Sequence, residues 1–179
     1  MEKRSKVEQP FRLLFVCTGN TCRSPMAEVI ARNEIEQRGW NSVEVRSAGI
    51  AAFDGAGASS GASRASEAHG LDLTGHRATF LTKEVVTWAD LILVMSTSHF
   101  MSVTELGAGE ISSLITSFAD EREGQAISES VPDPVGGTEQ EYLETFDLIK
   151  DLVNKVLQRI GRSAINEFHG EDPATNPPR

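Results

Sequence analysis

The chain has 179 residues, enough for one domain with a sizeable core, and its composition of 39% apolar and 24% charged residues is that of a soluble globular protein. A formal net charge of −9 disfavours nucleic acid as the main partner. The longest apolar run, Leu91 to Met95, is far too short to cross a membrane and the opening MEKRSKVEQP lacks the apolar stretch of a signal peptide, so a cytoplasmic protein with no membrane partner is expected.

Residues 1–10 read as a charged extension and residues 163–179 as a polar, proline-rich tail expected to be disordered, which leaves 11–162 as the folded domain. Phe11 to Val16 reads as the first strand, and Pro25 to Arg38 as a helix whose first turn carries proline where the missing N–H does no harm; Gly39 ends it. Val43 to Arg46 gives a second strand, and a loop of small residues, Asp54 to Gly61, leads to a helix over Ser63 to His69. Leu81 to Trp88 is a further short helix, and Leu91 to Val94 a strand whose unbroken apolar run implies burial on both faces. Thr97 to Leu106 reads as helix and Leu114 to Phe118 as a weaker strand. Thr138 to Ile160 is the longest helix, with Tyr142, Phe146, Ile149, Val153 and Val156 on one apolar stripe. The alternation predicts an α/β fold: a small doubly wound, flavodoxin-like sheet of four parallel strands with helices on both faces, which binds ligands beyond the carboxyl ends of its strands.

Cys17 begins at such an end, and the stretch from it, CTGNTCRSP, is an unusual way to leave a core strand. A loop at a helix N-terminus aims several backbone N–H groups and the positive end of the helix dipole at one spot, which suits a phosphate-like anion. Gly19 and Asn20 are residue types that tolerate the left-handed backbone such a cradle requires, and the planar fork of Arg23 can hold two phosphate oxygens. The same surroundings favour the thiolate form of a cysteine, the stronger nucleophile, and a hydroxyl at Ser24 is placed to donate to it. A nucleophile of this kind needs a partner to protonate the leaving group, and VPDPVGG supplies Asp133, held between Pro132 and Pro134 ahead of the last helix. Taken alone, Cys-x5-Arg arises by chance and Asp-Pro is an ordinary turn; it is their conjunction between a strand and a helix that points to phosphoryl chemistry.

These residues make the chain resemble the low-molecular-weight protein tyrosine phosphatase family, through VCTGNTCRSPMAE, the RSAG of Arg46 to Gly49, GHRATFLT from Gly75, ADLILVM from Ala89 and DPVGG from Asp133, in order over nearly all of the domain. The resemblance implies a four-stranded parallel sheet, Cys17 as nucleophile forming a phosphocysteine, Arg23 binding the phosphoryl group, and Asp133 as general acid and then base, without metal or organic cofactor. Thr18, Gly19, Asn20, Thr21, Cys22 and Ser24 would then form the phosphate-binding loop, supported by hydrogen bonds among Asn20, Ser24, Ser47 and His76. Cys22 matches a family position that can form a reversible disulfide with the nucleophile; as a small loop filler it would need no such role. The partners implied are a phosphorylated protein as substrate and inorganic phosphate as product, with a monomer as the default state.

The family divides by substrate. Thr21 stands where tyrosine-directed members usually carry a branched apolar residue, and CTGNTCRSP resembles the bacterial protein arginine phosphatases instead. Val135, Gly136 and Gly137 follow the acid where tyrosine-directed members commonly place aromatic residues, which weakens a stacking slot for a phenol ring. Phe53 argues the other way, since many tyrosine-directed members have an aromatic residue at that rim position. Phosphoarginine therefore ranks ahead of phosphotyrosine, with Thr21, Phe53 and Val135 as the selectivity positions. Arsenate reductases of this fold usually need two further cysteines that this chain lacks, and a phosphocarrier module would have to preserve the phosphoryl group that Arg23 and Asp133 are placed to release.

Overall fold

The unbroken apolar run from Leu13 to Cys17 in the first strand dictates a layer on each side of it. In the computed structural model, which describes residues 9–121 and 129–169 with side chains as far as residue 163, β1 (Phe11–Cys17) buries Leu13, Phe15 and Cys17 on one face and Leu14 and Val16 on the other. It lies in the middle of a four-stranded parallel sheet, between β2 (Val43–Gly49) and β3 (Leu91–Val94), with β4 (Ser112–Leu114) at the edge beside β3. The strand order β2-β1-β3-β4 reverses direction at β1, so the crevice beyond Cys17 is the topological switch point of a flavodoxin-like sheet.

Six helices cover the two faces of this sheet among the described residues. Helix α1 (Arg23–Gln37) packs Met26, Ala27, Ile30 and Ala31 onto the Leu13/Phe15 face, together with α2 (Ser60–Ala68), α5 (Ile115–Ala119) and α6 (Glu139–His169), whose Phe146, Ile149, Val153 and Val156 are fully buried there. The Leu14/Val16 face is covered by α3 (Lys83–Trp88) through Val86 and by α4 (Thr97–Glu105) through Val103. Hydroxyl caps set three of the starts: Ser59 accepts from Ala62 N–H, Thr82 from Val85 N–H and Ser96 from His99 N–H, each relieving a donor that the first helical turn leaves unpaired. No helix among the described residues is long and apolar enough to cross a membrane.

Three expectations are corrected. Leu114 to Phe118 is not the fourth strand: β4 is Ser112–Leu114 and the chain turns directly into α5, because Ile115 and Ala119, four residues apart, both bury against the same core while the two serines before them pair only with β3. A five-residue stretch with only three apolar residues fits either period, and tertiary packing decides between them. The last helix does not stop at Ile160 but continues to His169, taking in residues 163–169 of the stretch assigned to the tail; residues 1–8 and 170–179 lie outside the described residues. The second strand is also longer than Val43 to Arg46, running on through Gly49 so that it stays beside β1 as far as Cys17.

Helix α2 is seated on α6 at a point where only glycine fits. A Cβ on Gly61 would lie 2.4 to 2.6 Å from atoms of the Tyr142 ring, so the ring sits directly against the helix backbone. We expect Gly61→Ala to lower the unfolding free energy by about 1–3 kcal/mol, because it drives a methyl into this packed contact; urea melts showing no loss would refute the contact.

Candidate active site

The candidate site begins where β1 ends. Cys17 is paired in register with Gly49 on β2, and the five residues after Cys17 connect the strand to α1, so Arg23, Ser24 and Pro25 form that helix's first turn. Cys17 and Arg23 are almost fully buried and Asn20 and Ser24 completely so. Of the two residues expected to take the left-handed conformation, Asn20 does so with φ of 53° and Gly19 does not. A Cβ on Gly19 would meet only Thr21 Oγ1, at 3.5 Å.

Asn20 is held from four directions. Its Nδ2 donates to Ser24 Oγ and Ser47 Oγ, each at 2.8 Å, its Oδ1 accepts from Thr79 N–H at 2.8 Å, and its carbonyl lies 2.7 Å from His76 Nε2. The carbonyl can only accept, so His76 carries its proton on Nε2. Ser47 in turn donates to Glu28 Oε2, while the other Glu28 oxygen pairs with Arg32 at 2.6 Å. Ser24 Oγ accepts from Asn20, donates to Ala48 O over a long 3.4 Å and lies 2.9 Å from Cys17 Sγ; turned to the sulfur instead, its proton would stabilise a thiolate. The structure thus brings Asn20, Ser24, Ser47 and His76 to the Cys17 loop.

Gly49 closes the cradle from the β2 side. A Cβ there would stand 2.5 Å from Thr18 O, 2.7 Å from Asn20 N and 2.9 Å from Gly19 C, all main-chain atoms that cannot swing aside. The loop backbone therefore rests directly on glycine, and Ala51 N–H continues the contact by donating to Thr18 O at 2.9 Å.

Arg23 crosses the mouth of the loop. Its Nη1 donates to Val131 O at 3.2 Å and its Nη2 to Asp133 Oδ2 at 2.7 Å, with Thr18 Oγ1 a further 3.5 Å acceptor. The guanidinium is buried, whereas the Asp133 side chain is 45% exposed, so one partner is anchored in the protein and the other faces incoming solute. Val135 N–H donates to Asp133 Oδ1 at 3.2 Å, a local turn that, with Pro132 and Pro134, limits where the carboxylate can go.

On the other side of Arg23, Thr18 Oγ1 lies 2.8 Å from His99 Nε2, and His99 Nδ1 lies 2.9 Å from Ser96 Oγ at the start of α4. Burial pushes the His99 pKa down from 6.5 to about 4, the Arg23 charge adds to this, and Asp133 opposes it, so the ring is neutral at pH 7. The Cys22 thiol donates to Ser59 Oγ at 3.1 Å and lies 3.6 Å from the Tyr142 hydroxyl, whose pKa burial pushes up. Both cysteines are free thiols. Thr21 Oγ1 is 3.7 Å from Cys22 Sγ, and Thr21 O accepts from Ser59 N–H at 2.8 Å. Phe53 and Val135 are exposed on the loops after β2 and before α6.

Sequence reasoning missed Glu28, Gly49, Ser59, His99 and Tyr142. Glu28 had a readable signal, lying four residues after Ser24 on the same face of α1. Gly49 stood in the quoted RSAG, but the close approach that requires glycine is visible only in three dimensions. A cavity of about 610 Å³ is lined by Glu28, Ser47 and His76, which support the loop, and not by Cys17 or Asp133.

Two outcomes follow from this geometry. Gly49→Ala should displace the loop and weaken inorganic phosphate binding by at least about tenfold, with a stability loss of about 1–3 kcal/mol, read by calorimetry and urea melts. His99 should also make stability pH-dependent: its folded value lies below its unfolded one, so the unfolded chain takes up the proton first. Stability is then level above about pH 6.5, declines as the pH falls toward 4 by on the order of 3 kcal/mol, and levels again. Comparing the parent with His99→Gln at pH 7 and pH 4.5 isolates this contribution.

The family model described as low molecular weight phosphotyrosine protein phosphatase matches residues 12–166. The protein-arginine-phosphatase of Geobacillus stearothermophilus is 33% identical over 153 residues, covering 84% of this chain and 97% of its own. A probable low molecular weight protein-tyrosine-phosphatase, EpsP of Ralstonia nicotianae, is 32% identical over 148 residues, covering 83% of this chain and 94% of its own. Among solved structures, the YwlE arginine phosphatase from Geobacillus stearothermophilus superposes with a TM-score of 0.79 at 31% identity, covering 88% of this chain and 97% of that one. The chain belongs to the low-molecular-weight protein tyrosine phosphatase family.

Proposed function

We propose that the protein is a cysteine-dependent phosphoprotein phosphatase that hydrolyses phosphoarginine in proteins through a phosphocysteine intermediate. The observation that carries this reading is the meeting of three groups at one loop: the Cys17 sulfur 2.9 Å from the Ser24 hydroxyl, the buried Arg23 guanidinium, and the Asp133 carboxylate 2.7 Å from it. In the proposed reaction the phosphoryl oxygens occupy the loop N–H groups and Arg23, displacing Asp133 from the guanidinium. The displaced Asp133 takes up, through solvent, the proton that Cys17 gives up in becoming a thiolate; the thiolate attacks phosphorus in line, the S–P bond forms as the bond to the leaving nitrogen breaks, and Asp133 passes its proton to that nitrogen. Asp133, now a carboxylate, takes a proton from the water that attacks phosphorus; the S–P bond breaks, the thiolate returns and inorganic phosphate leaves. No step draws on a metal or organic cofactor, and we read the enzyme as a cytoplasmic monomer acting on phosphorylated proteins.

The likeness to protein-arginine phosphatases and the threonine at position 21 support phosphoarginine as the substrate. The rim beyond Asp133 offers Val135 at 66% exposure followed by two glycines, which gives a phenol ring little to stack on. A departing guanidinium is a cation and pairs with carboxylate, whereas a departing phenol does not. Phe53, 83% exposed, together with the likeness to tyrosine-directed relatives, favours phosphotyrosine as the second reading.

Offering phosphoarginine and phosphotyrosine peptides to the parent and to Thr21→Ile tests the choice, with Cys17→Ser as the inactive reference. The parent should prefer phosphoarginine, and Thr21→Ile should lower kcat/KM for it by about tenfold while raising that for phosphotyrosine. A parent that prefers phosphotyrosine overturns the substrate assignment, and an active Cys17→Ser overturns the mechanism.

A further inference from the structure

Arg23 has two polar neighbours at the mouth of the loop besides a main-chain carbonyl. One is Asp133, which the proposed reaction needs elsewhere. The other is Thr18, and it connects the guanidinium to the buried His99 and, through it, to two serines at the start of α4 that the proposed reaction does not use.

Hydrogen-bond bookkeeping gives that chain a direction. A guanidinium only donates, so Thr18 Oγ1 accepts from Arg23 Nη2, and the Thr18 hydroxyl proton must find a different acceptor. His99 Nε2 stands 2.8 Å away with the free lone pair of a neutral imidazole. With Nε2 accepting, the ring proton sits on Nδ1 and is donated to Ser96 Oγ at 2.9 Å; Ser96 passes its own proton to Ser98 Oγ at 2.9 Å, and also receives His99 N–H at 3.4 Å. Both ring nitrogens of His99 are then matched, and the depressed basicity of His99, caused by burial and then by Arg23, keeps the ring in the form the series requires.

Resting on the phosphatase reading, we propose that His99 is a positioning residue for phosphoryl binding: by accepting the Thr18 hydroxyl proton it turns the Thr18 oxygen toward Arg23 and holds the guanidinium at the loop mouth once Asp133 has let go. Without it, Arg23 keeps only Val131 O as an anchor when Asp133 moves to the leaving group. The effect belongs to the anion complex, because as long as the Asp133 ion pair is made it fixes Arg23 by itself. It passes through Thr18, since His99 is not itself placed against the reacting atoms.

The test measures inorganic phosphate binding by calorimetry, together with kcat and KM on para-nitrophenyl phosphate, for the parent, His99→Phe, His99→Gln, Thr18→Val and the Thr18→Val/His99→Phe double variant. His99→Phe and Thr18→Val should each weaken phosphate binding by about tenfold, the double variant should be no weaker than Thr18→Val alone, and His99→Gln, whose amide oxygen can reach the Nε2 position, should stay within about threefold of the parent. Multiplying effects in the double variant, or phosphate binding by His99→Phe at the parent's strength, overturns the inference. Thr18→Val cuts the same link from the other side, so if His99→Phe fails to fold, an unweakened Thr18→Val overturns it equally. Binding needs no turnover, so a parent that binds phosphate with this pattern but hydrolyses nothing refutes the enzyme reading and leaves the positioning role standing; a parent that binds no phosphate refutes both.

Discussion

A left-handed, fully buried asparagine is stable only where its surroundings specify it, and the four hydrogen bonds to the Asn20 side chain and carbonyl do so. The conformation costs about 1 kcal/mol for a residue with a Cβ, and the same bonds that offset it also set the positions of Ser24, Ser47 and His76. Through Ser24 the constraint reaches the Cys17 sulfur, and through Ser47 it reaches Glu28 on α1. Gly49 supplies the matching surface underneath, close enough that the loop main chain has one resting place. The geometry of the cradle is therefore a property of β1, β2, α1 and the segment near Thr79 together, and not of the loop alone.

The two-faced sheet distributes the work. Cys17 shares the Leu13/Phe15 face with α1, α2 and α6, and the Cys22, Ser59 and Tyr142 contacts lie with those helices. Thr18, one residue further, meets α4 of the opposite layer through His99. Two adjacent residues at a strand end thus tie the loop to both halves of the hydrophobic core. Such a loop shifts only if one of two close-packed layers shifts with it.

How much of this was legible in the sequence follows from how local each feature is. The order of strands and helices came from apolar runs and their spacing, and it held except where Leu114 to Phe118 was too short for its period to be decided. The loop was readable because Cys17, Asn20, Arg23 and Ser24 fall within one short stretch and are chemically unusual for a strand exit. Ser47 and His76 were named only through family resemblance, since as isolated residues they carry no pattern. Ser59, His99 and Tyr142 were invisible for the same reason: 37, 81 and 120 residues separate them from their loop partners, and only the parallel pairing of distant strands brings them there. Gly19 shows the reverse error, a residue type that permits a conformation without adopting it.

Arg23 carries its own counter-ion. Because the Asp133 carboxylate already occupies Arg23, the loop presents little net positive charge to small monovalent anions, and a ligand must outcompete a tethered carboxylate to enter. A phosphoryl dianion that also satisfies the loop N–H groups meets that condition; chloride, with one charge and no fixed geometry, does not. The same tether acts on the way out, since a carboxylate fixed between two prolines stays at high effective concentration and returns to the guanidinium as inorganic phosphate loosens. In the proposed enzyme, Asp133 would thus act as an intramolecular competitor that limits product inhibition as well as an acid and a base.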